Sequence, residues 1–200
     1  SFKYTVDFDP GSGTYNLTPN GGSDIFISKL DAGGNFVWAR NMGGTNGDGD
    51  YGNSIAIDNL GNIYTTGWFR DTADFDPGAG TYNLINGGEG LFISKLDANG
   101  NFIWAKGMGG SFGGSMGFSI AIDGSGNVYT TGAFVGTIDF NPGSGVDTLT
   151  ANVFSADIFI SKLDVNGNFV WAKSVGASDW DGGYSIAIDA LGNVYTTGSF

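Results

Sequence analysis

The sequence predicts an all-β protein built of β-propeller blades, each a sheet of four antiparallel strands. One segment of about 66 residues occurs three times along the chain, and the tryptophan near its end recurs as Trp38, Trp104 and Trp171. Every copy contains turns of the form Asp-x-x-Gly-Asn, and Glu89 is the one glutamate among 20 acidic residues. Aspartate prefers turns and caps whereas glutamate favours helices, so this bias indicates a β protein rich in loops.

The strands of one copy follow each other as two hairpins. Residues 119–123 and 127–132 are short runs rich in β-branched and aromatic residues, and they predict the first hairpin. Residues 158–164 and 169–173 predict the second hairpin in the same way. In each turn the aspartate accepts from backbone N–H groups and the glycine takes a positive φ. The turn aspartates are Asp31, Asp58, Asp97, Asp123, Asp164 and Asp189.

The alternation of side chains assigns positions within a blade. The first strand carries small residues that suit a crowded position near a propeller axis, and the fourth strand carries aromatics that suit the wider periphery. Apolar residues on both faces predict that each sheet packs between two others, with the repeat tryptophans Trp38, Trp104 and Trp171 in the core. The recurring lysines, expected to be exposed or paired with repeat acids, are Lys29, Lys95 and Lys162.

The copies resemble a known repeat. The pattern SIAID-x-x-GN-[IV]-YTTG, followed by [IL]-F-I-S-K-L-D-x-x-GN-F-[VI]-W-A-[KR], is similar to the bacterial SBBP-type β-propeller repeat and, more loosely, to NHL-like blades. The resemblance implies exported or surface-attached proteins without enzyme chemistry. One departure is a long insertion between the second and third strands, which lengthens the repeat beyond the roughly 40–45 residues of a compact blade.

The insertions contain the first group of candidate metal ligands. They read DFDPGSGTYNL, DFDPGAGTYNL and DFNPGSGVDTL. Two oxygen-bearing side chains two residues apart on an extended segment point to the same side and offer ligands to a hard cation such as Ca²⁺. The alternative is ordinary turn chemistry before Pro-Gly, with the intervening phenylalanine held in the core. The candidates are Asp7, Asp9, Asp74, Asp76, Asp139 and Asn141.

The loops that lead from one blade to the next carry a second group. Asp48 and Asp50 have the spacing that opens a calcium-binding loop, and the third copy has Asp179 and Asp181 at the corresponding place. The middle copy has no acidic residue there, so a solvated glycine loop is the alternative.

Two aromatic residues of the same loops are candidates for recognition. Trp180 stands between two aspartates, where an indole ring can stack on a sugar or on a neighbouring subunit. Tyr51 follows the acidic residues of the first loop and is the second candidate.

Composition excludes several classes of function. A net charge of −12 leaves no basic stripe for nucleic acid, and no apolar run approaches the roughly 20 residues of a membrane helix. Without histidine or cysteine there is no Ser-His-Asp, Cys-His or thiolate metal site, so we expect no enzyme.

We expect that no cofactor is required, with Ca²⁺ as the one candidate. The lack of cysteine fits an exported protein, which favours an extracellular or cell-surface location in a bacterium.

The whole chain is expected to form one array, with repeats at about 1–67, 68–132 and 133–200 that are each cut in mid-blade. Propellers use roughly 4–8 blades, so three cannot close a ring. We therefore expect completion by another chain or segment, most simply by copies of this chain joined head to tail in a ring, filament or tube. The predicted function is a non-catalytic extracellular scaffold that self-associates. The alternative is an adhesion module that binds a glycan or a cell-surface protein through its variable loops.

Overall fold

A computed structural model describes residues 1–45, 47, 49–110, 113–152 and 155–200, and within these ranges the regular structure is entirely β. The prediction of an all-β fold is therefore confirmed. The strands are β1 (Val6–Asp7), β2 (Asn16–Leu17), β3 (Ile25–Leu30), β4 (Phe36–Met42), β5 (Tyr51–Ile57), β6 (Ile63–Asp74), β7 (Asn83–Leu96), β8 (Phe102–Met108), β9 (Gly113–Ile122), β10 (Val128–Asp139), β11 (Thr148–Thr150), β12 (Asp157–Leu163), β13 (Phe169–Val175), β14 (Gly182–Ile188) and β15 (Val194–Ser199).

Two four-stranded units dominate the structure. In the first, which we call the central blade, β5, β6, β7 and β8 pair in chain order, all antiparallel. In the second, the following blade, β9, β10, β12 and β13 pair in the same order, and β11 adds to the outer part of β10. The predicted blade of four antiparallel strands is thus present in both.

Two hairpins flank these blades. The N-terminal hairpin, β3–β4, corresponds to the third and fourth strands of a blade, and the C-terminal hairpin, β14–β15, corresponds to the first and second. The β3 strand contacts β5 of the central blade, and β14 packs against β9, β10 and β12 of the following blade. The described residues therefore form two complete four-stranded sheets between two separate hairpins, which we call the half-blades.

The six Asp-x-x-Gly-Asn turns form as the sequence predicts. In the turn after β7, the Asp97 carboxylate accepts from the backbone N–H groups of Asn99 and Asn101, at 2.8 and 2.9 Å, and from the Asn101 side chain. Gly100 has a φ of 79°, a left-handed conformation that costs glycine little. The same bonds recur in the other five turns, so one short motif sets the register of the six hairpins that it closes.

The predicted insertion forms an outward extension of the hairpin between the second and third strands. The β6 and β7 strands run on past the blade, pair from Thr72 with Ile85 to Asp74 with Asn83, and leave a short tip between them. Phe75 and Phe140, which lie in the tips, are fully buried, so the extensions are anchored in the core. The extra residues therefore lengthen two strands as well as adding a loop.

The core lies between successive sheets. One apolar cluster joins the N-terminal hairpin to the central blade and includes Trp38, while the other joins the central blade to the following blade and has Trp104 packed against it. Trp171, on β13, is half-buried, and its ring meets the ring of Tyr129 edge-on. The expectation that both faces of every sheet are covered does not hold for β5, because Ile55 and Ile57 are exposed.

Candidate functional site

The strand order places the candidate metal-binding and recognition residues at one end of the molecule. The Asp-x-x-Gly-Asn turns join first to second and third to fourth strands, so antiparallel pairing puts them at the end that we call the turn end. The extended hairpins and the loops between blades lie at the opposite end, the loop end. At the loop end, backbone bridges link Gly43 to Asp74 and Gly109 to Asp139, so each fourth strand touches the extension of the next blade.

The insertion aspartates accept hydrogen bonds from their own loops. Asp74 Oδ1 accepts from the backbone N–H groups of Asp76 and Tyr82 at 3.0 and 2.8 Å, and Asp76 Oδ1 accepts from Gly78 N at 2.8 Å. Asp7 with Asp9 and Asp139 with Asn141 repeat these contacts in the other two copies. The hydrogen bonds from Tyr15 N and Asp9 N hold the pKa of Asp7 below its usual value.

This arrangement gives the insertion carboxylates a structural use that needs no ion. Asn141 replaces an aspartate without loss of the backbone bond, because a single side-chain oxygen receives Gly143 N at 2.9 Å. Within the described ranges, no three acidic side chains lie close enough together to hold a metal ion. Calcium binding by this group stays a prediction.

The acidic residues of the interblade loops lie in different environments. Asp50 is buried, with Oδ2 accepting from Gly44 N at 2.8 Å and Oδ1 from Arg70 N at 3.1 Å. Asp181 is also buried and accepts from Ala177 N, whereas Asp179 is exposed. The remaining candidate of the first loop, Asp48, lies outside the described residues.

A buried aspartate that the sequence did not single out faces Asp50. Asp24, immediately before β3, is fully buried, and its Oδ1 has no hydrogen-bond partner among the described residues. Asp24 and Asp50 flank Gly43, where a Cβ would lie 2.4 Å from Asp24 Oδ1 and 3.1 Å from Asp50 Oδ2. Burial raises the pKa of Asp24, and it raises the pKa of Asp50 to about 6.

Co-occurrence within the repeats is the signal that could have revealed this pair. Asp157 and Asp181 occupy the two positions in the third copy, whereas the second copy has Gly90 and Ser115. Ser115 replaces the carboxylate with a hydroxyl that accepts from Leu91 N and donates to the carbonyl of Met108. In each of the three copies, an acidic residue therefore occupies both of these repeat positions or neither of them.

The two recognition candidates do not lie at one common site. Trp180 is 55% exposed and lines an apolar recess of about 190 Å³ together with Met116, Ala133 and Val135. Tyr51 stacks on Trp68 with ring centroids 4.5 Å apart, so one face of its ring is already covered.

Contacts between blades recur from one interface to the next. Lys29 Nζ donates to the carbonyl of Ala98 at 3.1 Å, and Lys95 Nζ lies 3.5 Å from the carbonyl of Val165. Each lysine thus reaches the turn of the next blade. Lys29 is exposed, which is one of the two expected alternatives, whereas Lys95 is buried. Both donate to backbone carbonyls in the contacts described, and pairing with repeat acids stays a prediction.

A second repeated contact joins the first strands of neighbouring blades. Ser54 Oγ accepts from Ile120 N, and Ser119 Oγ accepts from Ile186 N, both at 3.3 Å. The arrangement can hold blades in register, but it brings together no nucleophile with a base. The blade interface therefore combines two kinds of contact that recur along the chain.

Comparison with known proteins agrees with this geometry. Residues 37–68 match the SBBP family, described as a beta-propeller repeat. The chain is also 27% identical over 209 aligned residues to an uncharacterized WD repeat-containing protein of Acanthamoeba polyphaga mimivirus. That alignment covers 92% of this chain but 14% of the relative, so the chain spans a small part of the relative's length. In the described ranges, no helix has the length and hydropathy needed to cross a membrane.

Proposed function

We propose that this chain is a non-catalytic, extracellular scaffolding protein that associates head to tail with copies of itself through its half-blades. One comparison carries the proposal. Ile120 and Ile186 are 6% and 7% exposed where a preceding blade covers them, whereas the equivalent Ile55 is 54% exposed. A sheet face that is buried at two interfaces and open at a third has the shape and chemistry to receive another blade.

Both ends of the array offer unpaired surface. Exposed apolar side chains cluster on β5 and on the C-terminal hairpin, and within the described residues β3 and β15 each pair with one strand only. Free strand edges with apolar faces promote pairing with other chains. A neighbouring repeat of a longer polypeptide would fit the same surfaces, so the test uses the 200-residue chain alone.

The oligomeric mass tests the proposal directly. Light scattering over a range of protein concentrations is expected to give multiples of 20.7 kDa, such as a ring of two chains, or a larger polymer. Ile55→Lys should shift the mass toward one chain, because it places a charge in the apolar interface. Leu60→Lys is the matched control, since Leu60 lies in an exposed turn whose equivalent Ser125 is exposed even between packed blades. A stable 20.7 kDa monomer at all concentrations overturns self-association.

The recess beside Trp180 favours a second function, adhesion to a carbohydrate or a surface protein. Its exposed indole ring and apolar lining offer a stacking surface for a sugar ring. A glycan array measures this function. Binding that is lost in Trp180→Ala supports it, whereas an array without signal removes the carbohydrate as the ligand.

A further inference from the structure

The two complete blades pair their second and third strands in one register. In the central blade, Tyr64 lies opposite Lys95 and Thr65 opposite Ser94. In the following blade, Tyr129 lies opposite Lys162 and Thr130 opposite Ser161, which are the same repeat positions. The register is thus a property of the repeat.

The two half-blades carry the two halves of this pairing. The β15 strand has the Tyr-Thr-Thr-Gly sequence of the second strands, and β3 has the Ile-Ser-Lys sequence of the third strands. In the central blade, β6 is a single strand of 12 residues. Its inner half corresponds to β15, and its outer half corresponds to residues 2–7, which already bridge to Asp24 through Phe2. In a composite strand, the inner half is β15 of one copy and the outer half is residues 2–7 of another, and Phe200, which corresponds to the same position as Phe2, lies outside that strand.

In each complete blade, a tyrosine of the second strand contacts a lysine of the third strand and a tryptophan of the fourth. Each half-blade carries only one side of this contact. Lys95 Nζ lies 4.8 Å from the ring centroid of Tyr64, and Trp104 meets that ring edge-on at 6.1 Å. Lys162 and Trp171 make the same contacts with Tyr129 in the following blade. The equivalent tyrosine of the C-terminal hairpin, Tyr195, is exposed. Its ring carries as much apolar surface as the rings of Tyr64 and Tyr129.

A threonine hydrogen bond repeats this pattern. Thr66 Oγ1 donates to the carbonyl of Phe92, and Thr131 Oγ1 donates to the carbonyl of Phe159. Both phenylalanines are fully buried, whereas the equivalent Phe26 is exposed. The edge of β3 is therefore complementary to a second strand of this repeat.

We propose that β15 of one copy adds to the free edge of β3 in a second copy, in the register of the complete blades, to form a composite four-stranded blade. This inference rests on the proposed self-association and specifies its geometry. Tyr195 then lies opposite Lys29 and beside Trp38 of the second copy, and Thr196 lies opposite Ser28. Thr197 donates to the carbonyl of Phe26.

The composite blade also continues the contacts between blades. Lys162, whose equivalents reach the turn of the next blade, donates to the carbonyl of Ala32 in the second copy. Ser185 accepts from Ile55 N of the second copy, as Ser54 and Ser119 accept within the chain. Closure of the same hairpins within one chain would require a ring of three blades, fewer than the roughly four that propellers need. These continuities fit a second copy as the occupant. Because a neighbouring repeat of a longer polypeptide would make the same contacts, the test uses the 200-residue chain alone.

Engineered cysteines test the register, since the chain has no native cysteine. The experiment mixes Thr196→Cys protein with Ser28→Cys protein under mild oxidation. Opposite residues of antiparallel strands have Cα atoms about 4.5–5.5 Å apart, within the range that a disulfide spans. We expect a disulfide-linked species of twice the monomer mass on a non-reducing gel. Each variant alone should give little of it, and a double Thr65→Cys, Ser94→Cys chain is the intrachain positive control.

A mixture of Thr196→Cys with Leu30→Cys is the register control, because Leu30 lies two residues farther along β3. Equal cross-linking in this mixture would overturn the proposed register. Oligomers by light scattering without the Thr196–Ser28 cross-link would overturn the composite blade but leave self-association intact. A chain that stays monomeric at all concentrations would remove both proposals.

Discussion

At the level of single residues, the repeat uses side-chain oxygens in place of missing backbone partners. The turn aspartates, the insertion aspartates and Ser115 each accept from backbone N–H groups that no strand partner reaches. The N–H group of Leu91 is buried, so loss of its Ser115 acceptor would cost about 1–3 kcal/mol, whereas the turn and insertion N–H groups cited are exposed and water can replace the carboxylate. Lys95 shows the complementary use, since it donates to a carbonyl of the next blade.

Glycine at the end of each Thr-Thr-Gly triplet is required by close backbone packing. A Cβ on Gly67 would lie 1.8 Å from the carbonyl oxygen of Tyr51. Gly67→Ala is therefore expected to destabilise the fold by about 1–3 kcal/mol, as overpacking does. Urea unfolding followed by tryptophan fluorescence measures the change. Gly124→Ala is the control, because a Cβ there meets no atom within 4 Å and alanine stands at the equivalent position of the third copy, Ala190. Equal stability of Gly67→Ala and wild type would contradict the crowding.

The buried carboxyl of Asp50 predicts a pH dependence of stability. Its pKa in the folded state is about 6, because burial disfavours the charged form, whereas an unfolded aspartate titrates near 4. The folded state thus binds the proton more tightly. The stability that this provides is fully present below pH ~4 and is lost as the pH rises through about 6, a change of about 1–3 kcal/mol.

The variant Asp50→Ser isolates this contribution, because the middle copy has Ser115 at the same position. We expect the free energy of unfolding of the wild type to fall more steeply than that of the variant between pH ~4 and ~6. Urea titrations at several pH values measure both slopes. Parallel curves would show that Asp50 does not titrate in this range.

At the level of strands and hairpins, the sequence predicted most of the structure because the local signals agree. The Asp-x-x-Gly-Asn turns and the β-branched runs on either side of them led to the correct hairpins and to antiparallel sheets. The extension of β6 and β7 was less visible, since its strands have mixed polarity and its Pro-Gly tip suggests a loop. The burial of Asp24 could not be predicted from its own strand, because it depends on residues of a different strand and loop, and co-occurrence with Asp50 is the one signal that links them.

The extended hairpins lead to a prediction about calcium. The melting temperature is expected to be the same in millimolar Ca²⁺ and in EDTA, because the insertion carboxylates already accept backbone hydrogen bonds. Asp76→Asn should also leave it unchanged, as Asn141 accepts the same bond in the third copy. Differential scanning calorimetry measures both. A higher melting temperature in Ca²⁺ that disappears in Asp76→Asn would establish the metal site instead.

At the level of the whole molecule, charge opposes the association that the half-blades favour. Each copy has a net charge of −12, so approaching copies repel each other. Added salt screens this repulsion, with a Debye length of about 30 Å at 0.01 M and about 8 Å at 0.15 M. We therefore expect the oligomer fraction to increase with NaCl over this range. Analytical ultracentrifugation measures the fraction, and dissociation by salt would indicate that ion pairs hold the copies together.

The serine contacts between first strands have a consequence for the dynamics of single amides. Each blade contacts only its neighbours, so the free energy of unfolding is approximately the sum of the intrinsic stability of each blade and the stability of each interface between blades. The amides of β9, which has β5 on one side and β14 on the other, should exchange with solvent most slowly. Those of β14 and β15 open most readily in an isolated chain and become protected once another copy covers them. Hydrogen exchange at these two strands therefore reports assembly one residue at a time.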